Sequence, residues 1–119
     1  MSREQSADRR TPPPSDQFSL ALGRAVAQHL LADGTRVRAV GRRNLTRARA
    51  QHSLQPSWIR RWQELLDGPE DMLIEALTSP AEDARVLRQS SPFAGVLTPQ
   101  ERWALLREVR EARRAARSA

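Results

Sequence analysis

Five short junctions decide what this chain can fold into. They read ADGT (32–35), QPSW (55–58), DGPED (67–71), SPAE (79–82) and TPQE (98–101). Each joins a helix-stopping residue to a helix-starting one. Glycine tolerates the left-handed turn that closes a helix, and proline after a serine or threonine fits a first turn, where its missing N–H costs nothing. SPAE and TPQE also place a glutamate three residues after a hydroxyl, the pattern of a capping box.

Between the junctions, apolar residues recur at steps of three and four. A first helix is expected over 17–32, through Phe18, Leu22, Ala25, Val26 and Leu30, with Ser15 or Asp16 as its cap. Gly34 should end it, and Thr35 should cap a second helix over 36–52, through Val37, Val40, Gly41, Leu45 and Ala48. A third, 58–66, carries Trp58, Ile59, Trp62, Leu65 and Leu66 on one wide face. A fourth opens at Pro69 and, with Met72, Leu73, Ile74, Ala76 and Leu77, should be the most buried. A fifth covers 81–89, and a sixth runs from the TPQE box through Trp103, Leu106 and Val109, with Trp103 turned into the core. Nothing reads convincingly as a strand. The fold class is therefore all-α: a compact bundle of about six short helices over 16–112. Before it, 1–15 ends in TPPPS and reads as a disordered arm; after it, 113–119 reads as a fraying basic tail.

At 119 residues the chain fits one small domain. Hydrophobic residues at 39% and charged residues at 29% are near the globular average, so the body of the chain should fold. Cysteine is absent, which removes disulfides and thiol chemistry. No apolar run approaches the roughly 20 residues of a membrane span. The N-terminal residues lack the apolar segment of a secretory signal, so a cytoplasmic protein is expected.

All twenty basic residues are arginine, and the net charge is +6. The charge is segmented. Residues 1–55 carry ten arginines against four acids, 56–84 two against seven, and 85–119 eight against three. The second helix holds Arg36, Arg38, Arg42, Arg43, Arg47 and Arg49 with no acid of its own. That excess points to an anionic partner, nucleic acid or an acidic protein. With the helix before it, the segment has the outline of a helix-turn-helix, although its arginines surround the axis.

Catalytic patterns are missing. His29 and His52 lack partners at ligand spacing, the five glycines are isolated, and Ser90 and Ser91 sit in no nucleophile elbow. Asp67, Glu70 and Asp71 resemble a metal cluster, but acids are ordinary at a helix start. No catalytic residue, metal or cofactor is therefore expected. The segment RQSSPFAGVL (88–97) is apolar for a loop. It reads either as a plug closing one end of the core or as a lip for a partner chain, made by Phe93, Val96 and Leu97 with Arg88 and Arg102 beside them.

The stretches WIRRWQELLDGPEDMLIEALTSP and LRQSSPFAGVLTPQERW resemble a group of small helical proteins of high-GC bacteria. The likeness rests on Trp58, Trp62, Leu65 to Pro69, Leu77 to Pro80 and Ser91 to Leu97, and it spans about residues 20–110. Such proteins are similar to the antitoxin-like members of toxin–antitoxin loci. The resemblance implies a non-catalytic protein that binds and restrains a toxin-like partner encoded nearby, with nucleic acid as a second contact. The alternative is an autonomous DNA- or RNA-binding transcriptional regulator.

Overall fold

The computed structural model describes residues 14–118. Among them are six helices and no strand: α1 (Pro14–Ala32), α2 (Gly34–Ala50), α3 (Ser57–Asp67), α4 (Glu70–Thr78), α5 (Glu82–Arg88) and α6 (Pro99–Ser118). The expected all-α bundle is the fold. The arm assigned to 1–15 lies outside the described residues, except that Pro14 and Ser15 belong to α1. Ser15 and Asp16 therefore lie within the helix and not at the position before it. The expected tail from 113 onward continues α6 as helix to Ser118.

α1 is the hub. It packs against α2, α4, α5 and α6, while α3 lies on α2 and α4. Its apolar stripe supplies Val26, Ala27 and Leu30 to the core, which α2 continues with Val37 and Leu45. α3 adds Ile59, Trp62, Leu65 and Leu66, and α4 adds Leu73, Ala76 and Leu77. α4 is less enclosed than its composition suggests: Met72 is 48% exposed, and three of its nine residues are buried, no greater a share than the four of eleven in α3. Trp62 is fully buried, donates its indole N–H to the Leu87 carbonyl at 3.3 Å and meets the Phe93 ring edge to face at 5.6 Å. Buried aromatic pairs favour that geometry.

Two junctions differ from expectation. Asp33, not Thr35, caps α2: its carboxylate accepts from the Arg36 N–H at 3.2 Å, and Gly34 is already helical. α1 and α2 are thus joined by one residue, too short a link for the turn of a helix-turn-helix. At SPAE, Ser79 is needed to close α4, its N–H donating to the Glu75 carbonyl at 2.9 Å. Its hydroxyl accepts from the Ala81 N–H instead, and Glu82 turns to Arg85 at 3.1 Å. The helix consequently starts at Glu82 and the reciprocal box does not form.

The TPQE box forms fully. The Thr98 hydroxyl accepts from the Glu101 N–H at 3.1 Å, and the Glu101 carboxylate accepts from the Thr98 N–H at 2.9 Å. Glu101 also accepts from His29 Nε2–H at 2.7 Å, tying the start of α6 to the end of α1. That tautomer leaves His29 Nδ1 to accept from Arg36 at 3.4 Å. The Thr98 N–H first, and His29 second, hold the Glu101 carboxyl below its ordinary value of 4.5. A carboxyl depressed by folding stabilises above its unfolded pKa, and that stability is lost as pH falls through the folded value. Glu101→Gln should therefore lower stability at about pH 7 and flatten the acid loss below about pH 4.5, as read by urea unfolding across that range.

Candidate nucleic-acid interface

Half of the six arginines of α2 are spoken for. Arg38 and Arg42 both donate to the Leu66 carbonyl, Arg42 at 2.8 Å, and Arg42 also pairs with Asp67. They sit on the C-terminal end of α3, where the helix dipole favours cations and the last carbonyls need donors. Hydrogen bonds from Arg42 and then Gln63 hold the Asp67 carboxyl below the usual range. Arg36 reaches the Val96 carbonyl at 3.3 Å. Arg49 lies close enough to feel the Asp67 charge. Arg43, Arg47 and Arg49 stand outward without a hydrogen-bonded or ion-paired side chain among the described residues. Three of the six expected anion-binding arginines are thus structural, binding carbonyls that a one-dimensional reading does not show.

Asn44, the one amide within that arginine run, has an equally internal role. Its side-chain amide donates to the carbonyls of Pro92 at 2.8 Å and Ala94 at 2.9 Å. This clamps the 92–97 segment to α2. Phe93, Val96 and Leu97 are 4%, 2% and 7% exposed, so in this fold they form a plug and not an open lip. Arg88 is buried as well; Arg102 is exposed, its guanidinium 5.9 Å from the centre of the Phe18 ring.

The open basic surface lies on α6. Its contacts with the body are chiefly to α1 and run through half-buried Leu105, Leu106 and Val109. Trp103 precedes Leu105 by two residues, about 200° around the helix, and so faces away. It is 62% exposed, which corrects its assignment to the core. On the same face follow Arg107, Arg110 and Arg114, and the four side chains line one shallow groove with Gln100 and Glu111. The three arginines are exposed and form no ion pair among the described residues. Spacings of four, three and four put successive groups about 4.5–6 Å apart along the axis. Sequence reasoning missed this stripe because Trp103 looked like core. Its steps to Arg107, Arg110 and Arg114 were the available signal.

A second surface has the opposite charge. α3, α4 and α5 enclose a broad groove with apolar Trp58, Met72 and Val86 and acidic Asp71, Glu75 and Asp83. Trp58 is half-buried there and meets His52 edge to face at 5.7 Å. Among the described residues, no three histidines or acids gather as metal ligands; Asp67 faces Arg42, while Glu70 and Asp71 open α4. No helix of the described residues is long and apolar enough to cross a membrane. Comparison with protein-family models, with curated proteins and with solved structures finds no match to the chain.

Proposed function

We propose that this is a non-catalytic interaction protein that binds single-stranded nucleic acid along α6. The observation that carries the reading is the stripe of Trp103, Arg107, Arg110 and Arg114 on one exposed helix face. An open indole stacks on any base, and guanidinium forks hold phosphates bidentately. Leu105 and the His29–Glu101 contact fix the helix start, so the stripe is presented on a rigid element.

The test is fluorescence titration with a random-sequence single strand. Trp62 is sealed in the core and Trp58 is half-buried in the acidic groove, so quenching by an anionic strand reports chiefly on Trp103. Affinity should fall steeply with salt as phosphates release counterions, and replacing Arg107, Arg110 and Arg114 by Gln should reduce the log–log slope by about 2. Trp103→Ala, which removes the reporter and is therefore read by anisotropy of a labelled strand, should weaken binding by about 1–3 kcal/mol at every salt concentration. Absence of quenching at low salt removes the reading.

The antitoxin-like resemblance adds a protein partner, and the acidic groove around Met72 and Val86 supports that second reading. Both side chains are about half exposed in a shared depression, unusual for isolated surface apolar groups. Co-expression with the product of the adjacent gene should yield a stoichiometric complex that Met72→Arg and Val86→Arg disrupt. An autonomous regulator would bind nucleic acid identically with or without that neighbour.

A further inference from the structure

Between the N-terminal half of α1, the end of α4 and the 88–97 segment lies a half-enclosed cavity of about 310 Å³. This is at the lower end of the roughly 300–1,000 Å³ typical of small-molecule sites. Its walls are mostly apolar, formed by Phe18, Leu22, Val26, Leu77, Phe93 and Leu97. Arg88 also lines it and is, among the described residues, the one buried charged side chain, 7% exposed. One guanidinium nitrogen, Nη1, donates to the carbonyls of Ser79 at 2.7 Å and Ala76 at 3.2 Å. Its Nε is sealed from solvent without a partner. Neutral carbonyls leave the guanidinium without an ion pair; Asp16 acts on it only from beyond contact distance, and a buried cation so thinly matched is costly.

The nearest candidate counterion does not close the site. Asp16 lines the same cavity, but its ion pair is with Arg85 at 3.5 Å. A second cation, Arg102, stands in the cavity wall over Phe18. The cavity thus combines an apolar interior with two arginines and one carboxylate already engaged. We infer that it binds a small organic monocarboxylate: the anion faces Arg88 and Arg102, and the apolar body lies against Leu22, Val26 and Phe93. A monoanion fits better than a phosphate dianion, because Asp16 already supplies one negative charge nearby.

Octanoate is the probe, titrated by calorimetry into the full chain, with octanol, octylammonium and acetate as controls. Saturable binding of octanoate, with octanol weaker and neither octylammonium nor acetate bound, is the expected pattern. Arg102→Gln should weaken octanoate by about tenfold, since charge-assisted hydrogen bonds are worth at least that factor. Leu22→Trp, which fills the cavity and keeps both arginines, should abolish binding while circular dichroism shows a folded chain. Arg88→Met should, if folded, bind octanol but not octanoate; if it does not fold, the Leu22→Trp and Arg102→Gln results decide. Octanoate binding no tighter than octanol, or persisting in Leu22→Trp, overturns the assignment.

Discussion

Gly23→Ala should destabilise the protein by about 3 kcal/mol or more, at the upper end of what an overpacked core costs. The effect arises from a close crossing of α1 over the end of α4. A Cβ built on Gly23 falls 1.9 Å from the Leu77 carbonyl oxygen and 3.0 Å from its carbon. These are backbone atoms at the end of a helix, so no rotamer change relieves the clash. The same position lies 3.2 Å from the Arg88 Cδ, whose guanidinium is fixed on the carbonyls of Ala76 and Ser79. α1 must therefore lift away from α4, and it carries the contacts of α2 and α6 with it.

Gly34→Ala is the control for that claim. A Cβ there meets only the Glu70 carboxylate and a Leu30 methyl, each at an ordinary 3.9 Å. Gly34 begins α2, so alanine keeps the helix and restricts the unfolded chain, an expected gain of about 0.4–1 kcal/mol. Thermal unfolding of the two variants should move in opposite directions. At about 4–8 °C per kcal/mol for a domain of this size, the loss at Gly23 amounts to some 12 °C or more. Equal and small shifts would mean that the α1–α4 crossing is looser than described.

These glycines show which parts of the fold were legible in the sequence. Helix number and order follow from the junctions and from the three–four periodicity, because local capping and amphipathicity are written into neighbouring residues. The TPQE box formed as its residues imply, since Thr98 has no earlier helix to close and His29 takes the Glu101 oxygen that the box leaves free. The SPAE box did not, because Ser79 also had to end α4. Gly34 looked like a helix end, yet Asp33 alone makes the turn. The functional surface was harder still. Arg38 and Arg42 look like free cations until α3 brings the Leu66 carbonyl and Asp67 to them. Trp103 looks like core until α1 is seen to take only the face through Leu105. Which cations remain available is a tertiary property, set by where carbonyls and carboxylates arrive.

Phe93→Ala should cost about 3–5 kcal/mol, the usual range for emptying a buried aromatic site. The ring is 4% exposed, holds Trp62 in an edge-to-face contact and fills the space beside Gly41. That neighbour supplies an internal check on why the residue matters. A Cβ on Gly41 would lie 2.8 Å from Phe93 Cε1 and 3.0 Å from a Leu66 methyl. In the wild type, Gly41→Ala gains about 0.8–1.0 kcal/mol of helix propensity but loses about 1–3 to crowding, a net cost. In Phe93→Ala the ring is gone and the added methyl enters the vacated space, with Leu66 yielding by a few tenths of an ångström. Gly41→Ala should then be neutral or stabilising. Urea unfolding of the four chains measures the coupling, expected at about 0.5–3 kcal/mol for residues in direct contact. A Gly41→Ala cost that is the same in both backgrounds would show that Phe93 does not pack on α2. If Phe93 is a plug alone, Phe93→Ala, wherever it remains folded, should bind nucleic acid and the neighbouring gene product as the wild type does. Its buried ring would then act on function only through the stability of the helices that display Trp103 and Met72.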